Sequence, residues 1–82
     1  MSESNLKEKI EATTFRKIIK HLQDNKELQN IDLMNLAGFC RNCISKWYSE
    51  SAKENGGEID YDKAREIVYD MPYSEWKEKY QK

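Results

Sequence analysis

Eighty-two residues bound the chain to one small domain, residues 1–82, with a small core and modest stability. Fourteen basic and fifteen acidic side chains give a net charge of −1, and no Lys/Arg block stands out. That balance excludes the basic face of a general nucleic-acid binder and the basic helix of a membrane-surface protein.

Only 38% of residues are hydrophobic, yet they recur periodically among interspersed opposite charges, unlike a disordered tail. No run approaches the ~18 apolar residues of a membrane span, and the N-terminus, MSESNLKEKIEATT, has no signal core. The expected location is the cytoplasm, where thiols stay reduced and a structural disulfide is not expected.

The first predicted element is an amphipathic helix over residues 4–24. Leu6, Ile10, Phe15, Ile18, Ile19 and Leu22 recur at helical spacing. Ser2 or Ser4 suits its start and Asn25 its end. At about 100° per residue, Phe15, Ile18, Ile19 and Leu22 centre one face, with His21 at its edge.

After the polar break NKELQN, Asn30 or Asp32 can cap a second helix running to about residue 54. Asn55-Gly56-Gly57 supplies its stop. Leu33, Leu36, Ala37, Phe39, Cys40, Cys43, Ile44, Trp47 and Tyr48 give it a broad apolar face. That breadth predicts a central position, contacted on several sides. Gly38, Asn42, Ser45 and Ser49 form a strip of small residues, open to the chain's own helix or to a second subunit.

Asp60 can cap a third helix over 61–70, with Tyr61, Ala64, Ile67, Val68 and Met71 inward. Asp62, Glu66 and Asp70 read as its solvated side. Pro72 breaks the chain, and Ser74 opens a short helix over 75–80 carrying Trp76 and Tyr80. No alternating run predicts a strand. The expected fold is all-α: a compact array of four helices with the second helix central.

The sequence holds two cysteines, Cys40 and Cys43, placed on that second helix. At i, i+3 their Cβ atoms are about 5–6 Å apart, whereas a disulfide wants about 3.5–4.5 Å. Redox pairs of this spacing sit where a strand meets a helix start, which the predicted helix does not provide. A metal fits the spacing better. Two thiolates about 2.3 Å from one tetrahedral ion have sulfurs a little under 4 Å apart. Zinc or iron is the candidate, with His21 as third ligand and a carboxylate, a water or a symmetry mate completing the site. The plain alternative is two buried thiols, since Cys packs as a small hydrophobe. His21 has its own plain reading as a half-buried, hydrogen-bonded residue.

Asn35, Arg41 and Asn42 are polar groups on a largely apolar helix. They bond a neighbouring helix end or loop, or they line a polar pocket or dimer seam. No phosphate-cradling loop and no marked serine nucleophile is present.

The stretches FRKIIKHL, LQNIDLMNLAGFCRNCISKWY (28–48) and MPYSEWKEKYQ resemble the short bacterial proteins grouped as domain of unknown function 1244. The likeness runs from about Phe15 to Gln81. Leu28 stands where Val is expected, and Asn25-Lys26-Glu27 is less basic than expected. The resemblance implies a small all-helical bacterial protein with no assigned activity. It implies candidate positions at Phe15, Arg16, His21, Gln29, Asn30, Asp32, Asn35, Cys40, Arg41, Asn42, Cys43, Trp47 and Tyr48, without roles.

The expected function is a non-catalytic binding module that self-associates through the small-residue strip of the second helix and can hold a transition metal at Cys40 and Cys43, with His21 as third ligand. One alternative is a redox-active or metal-dependent enzyme using the two thiolates, and another is an adaptor whose thiols only pack.

Overall fold

The first expected helix forms as α1, Glu3–Asp24, in a computed structural model that describes residues 3–82. Ser2, one expected cap, lies outside the described residues, and Ser4 falls within the helix. Asn25 ends α1: its backbone N–H donates to the Leu22 carbonyl (3.2 Å) and its Nδ2 to the His21 carbonyl (2.8 Å). Only Ile19 and Leu22, in the last turns, are buried. Phe15 is half-buried and Ile18 is exposed.

The single long second helix does not form. It is divided into α2, Asn30–Ala37, and α3, Arg41–Glu54. Gly38 is the reason. It adopts the left-handed conformation (φ 79°) and its N–H closes on the Met34 carbonyl at 2.9 Å. Glycine enters that region without steric cost and is a poor helix-interior residue, so it ends α2 as a C-cap. Cys40 then takes an extended backbone (φ −135°, ψ −174°) as the N-cap of α3. Its carbonyl accepts the first α3 bond, from the Ile44 N–H, at 3.1 Å. The N-cap of α2 is Gln29 rather than Asn30 or Asp32.

The fold is therefore all-α, with five helices among the described residues rather than four. The broad apolar face belongs to two short helices on different axes, which is why Leu36 (89%) and Trp47 (51%) remain exposed.

Asn55-Gly56-Gly57 stops α3 as expected. Gly56 has φ 81°, and the Gly57 N–H reaches back to the Ala52 carbonyl at 2.8 Å. Asp60 caps α4, Tyr61–Tyr69, accepting from the Lys63 N–H at 2.8 Å. Asp62, Glu66 and Asp70 face solvent. The last helix, α5, is Tyr73–Tyr80, starting just after Pro72 and earlier than Ser74 suggested.

Helix α4 lies along α3, at the strip of small residues. Ser45 and Ala64 are both fully covered there (0% exposed). Ser49 Oγ donates to the Ile59 carbonyl at 2.6 Å. The α3 part of the strip, Asn42, Ser45 and Ser49, thus receives the chain's own helix rather than a second subunit, while Gly38 stays exposed. Ile19, Leu22, Ile44, Val68, Tyr69 and Trp76 make the core. Trp76, 1% exposed, meets Tyr69 edge-on at 5.3 Å, so the C-terminal helix closes the core with an aromatic plug. No helix among the described residues is long and apolar enough to cross a membrane.

Candidate functional site

The break at Gly38 decides the geometry of the thiols. Cys40 heads α3 and Cys43 follows one turn later. Both are free, with Sγ atoms 4.0 Å apart. Cys40 is buried and Cys43 half-buried. A third sulfur joins them: the Cys43 thiol donates to Met34 Sδ at 3.7 Å. In one continuous helix these two side chains could not meet, because nine positions at about 100° each put them on opposite faces. The turn at Gly38 folds the end of α2 back over the start of α3 and brings them together.

His21 is not brought into this group. It is exposed and borders the same groove as Cys40. Among the described residues, no three His, Cys, Asp or Glu side chains come together where they could hold a metal ion.

Between the two cysteines, Arg41 turns inward and is 1% exposed. Its Nη1 donates to the Leu28 carbonyl (2.5 Å) and to Asn30 Oδ1 (3.0 Å), and its Nη2 to the Asn25 carbonyl (3.0 Å). The guanidinium lies 5.3 Å from the Trp76 ring centroid and 6.0 Å from that of Tyr69. It clasps the α1–α2 loop against the aromatic core. Trp76 Nε1 adds a bond to the Lys26 carbonyl of the same loop, at 2.9 Å. No ion pair among the described residues involves Arg41. Burial lowers its pKa, while Tyr69, Cys40 and Glu27, in that order, act to raise it.

The clasp continues through Tyr69. Asn30 Nδ2 donates to the phenol oxygen (2.9 Å), and the phenol donates to Asn42 Oδ1 (2.6 Å). Burial pushes the Tyr69 phenol well above its usual range, and the Asn30 hydrogen bond only partly offsets this. Arg41, Asn30, Tyr69 and Asn42 form one chain of satisfied polar groups joining α2, α3 and α4. Arg41 thus has the loop-bonding role among those its sequence position allowed.

Arg16, Asp32 and Asn35 are exposed and stand outside this network. Sequence reasoning missed Met34, Tyr69 and Trp76 as site residues. For Met34 the one available signal was Gly38, a helix-ending residue inside an otherwise helical pattern.

A second feature is the outer face of α1. Leu6, Ile10 and Ile18 are 53%, 56% and 52% exposed. With Thr14 between them they form an i, i+4 stripe. The stripe merges into an apolar groove walled by Phe15, Phe39, Ile44, Trp47 and Tyr48. Phe39 and Trp47 brace one another there, with ring centroids 5.6 Å apart.

A family model described as Protein of unknown function (DUF1244) matches residues 28–82. No curated protein matches the chain. The matched segment begins after α1. It contains Met34, Cys40, Arg41, Asn42, Cys43, Tyr69 and Trp76, and leaves out Phe15, Arg16 and His21.

Proposed function

The chain belongs to the DUF1244 family, a family of unknown function, and from that premise we propose a small non-catalytic binding module that pairs with a second copy of itself through α1. The observation that carries this reading is the exposed Leu6–Ile10–Ile18 stripe, continuous with the Phe39–Trp47 groove. Exposed apolar residues aligned along one helix face, interrupted only at Thr14, suit a helix-to-helix contact. The charges beside the stripe are mixed, with Lys7 and Glu11 paired across one turn at 3.9 Å. A standard interface covers about 800 Å² per partner, roughly an eighth of this chain's 6194 Å². The module works in the cytosol, where both thiols remain reduced.

Light scattering over a concentration series tests the pairing. The wild-type chain gives the dimer mass, and Leu6→Glu/Ile10→Glu gives the monomer mass with unchanged helicity. A wild-type chain that stays monomeric at the highest concentration contradicts the proposal.

A second reading, a redox-active dithiol, is favoured by the position of Cys40. As an N-cap it has extended backbone, free of the helix-interior restraint that opposes closing a 4.0 Å sulfur pair into a disulfide. In that reaction the two thiols give two electrons and two protons to a partner disulfide, which becomes two thiols. Equilibration with glutathione buffers, followed by alkylation and mass measurement, tests it. A reversible disulfide within the folded chain supports the reading; thiols that oxidise only after unfolding end it.

A further inference from the structure

We propose that Met34, Cys40 and Cys43 form a three-sulfur site for a soft monovalent metal ion, copper(I). The inference does not depend on self-association. Cys40 and Cys43 Sγ are 4.0 Å apart, and Met34 Sδ is 3.7 Å from Cys43 Sγ. Three sulfurs each about 2.3 Å from one ion stand a little under 4 Å from one another when arranged as a planar triangle. The sulfur spacings on two sides of the triangle, both meeting at Cys43, already have that size.

The donor set selects the metal. Two thiolates and a thioether are soft ligands of the type that favours copper(I). Structural zinc takes four ligands in a tetrahedron, and no third His, Cys, Asp or Glu joins the two thiols among the described residues. Hard cations need oxygen ligands, which this triad lacks.

Charge supports the same ion. Binding displaces one proton from each thiol and leaves Cu⁺ with two thiolates and a neutral thioether, a complex of net charge −1. The residue between the cysteines is Arg41, a buried cation bonded only to neutral oxygens, with no ion-pair partner among the described residues. A −1 complex at the head of α3 gives that cation a counter-charge and meets the positive end of the helix dipole. Cys40 is buried, whereas Cys43 is half-buried and Met34 exposed, so the cluster can be reached from solvent.

The test uses the full reduced chain under anaerobic conditions. Copper(I) is supplied as its acetonitrile complex and competed against a chromophoric copper(I) chelator, and X-ray absorption counts the coordinated sulfurs. The expected result is one copper per chain with three sulfur neighbours and two protons released. Met34→Leu conserves volume at a 41% exposed position, so it keeps the fold and the urea midpoint. It drops the count to two sulfurs and weakens binding by at least the roughly tenfold that losing even an outer-shell partner costs. Cys40→Ser/Cys43→Ser abolishes binding, and His21→Ala leaves it unchanged. Copper held equally well by Met34→Leu, or displaced by equimolar zinc, overturns the assignment. So does a wild-type chain that binds copper no better than the double serine variant.

Discussion

Replacing Arg41 by Ala removes the clasp on which the α1–α2 loop depends. Three hydrogen bonds from a charged donor are lost, to the Asn25 and Leu28 carbonyls and to Asn30 Oδ1. Charge-assisted bonds contribute about 1.5–3 kcal/mol each. The contact with the Trp76 face adds about 0.5–2 kcal/mol. Two effects subtract from that gross loss. Leu28 is 38% exposed, so water replaces part of its lost bond. Removing the cation also relieves the desolvation that lowers its pKa. The net loss is then about 3 kcal/mol, against a total of about 4–12 kcal/mol for a chain of this length. With a urea m-value of about 1 kcal/mol/M, the midpoint falls by about 3 M. Arg41→Lys loses about half as much, because a point charge cannot bridge three oxygens held by a planar fork. Urea titration followed by circular dichroism reads all three proteins, with exposed Arg16→Ala as the control that moves less than about 0.5 kcal/mol. An Arg41→Ala midpoint within about 0.5 M of wild type would refute the clasp.

Gly38→Ala lowers stability by about 1–2 kcal/mol, the cost of a Cβ in the left-handed region. Nothing lies within 4 Å of the added atom, so thermal melts show no further loss from crowding. Asp60→Ala removes the α4 cap bond to the Lys63 N–H and costs about 0.5–2 kcal/mol, read by the same melts. Burial raises the folded Tyr69 phenol above its ordinary pKa of 10.0. Its neutral form is therefore favoured by folding; that contribution is complete below pH 10.0 and declines as the pH rises above it. Denaturant titrations from neutral to alkaline pH show wild type losing stability more steeply there than Tyr69→Phe, and equal slopes exclude the assignment.

Much of the fold was legible because its signals are local. Asn25, Asp60, Pro72 and the Asn55-Gly56-Gly57 stop each act within a few residues of themselves, and each marks an end that the structure contains. The second helix was misread because periodicity cannot distinguish one broad apolar face from two narrow faces on different axes. Gly38 carried the answer, and the apolar residues on both sides of it outweighed its signal. The site suffered from the same error. A continuous helix keeps Met34 away from Cys43, so the third sulfur was invisible until the chain turned. Arg41 was legible as a polar residue with a bonding duty, but its partners are 11–16 positions earlier in the chain, at a range no local pattern encodes. Tyr69 and Trp76 read as ordinary inward-facing aromatics, since only the packed core brings them beneath the guanidinium.

The break that sets Cys40 at the head of α3 can be measured directly by backbone NMR. Assigned Cα shifts and amide–Hα couplings along residues 30–54 should be helical through Ala37, left-handed at Gly38, extended at Cys40, and helical again from Arg41. An unbroken helical pattern across residues 38–40 would contradict the account, for it would return Met34 and Cys43 to opposite faces.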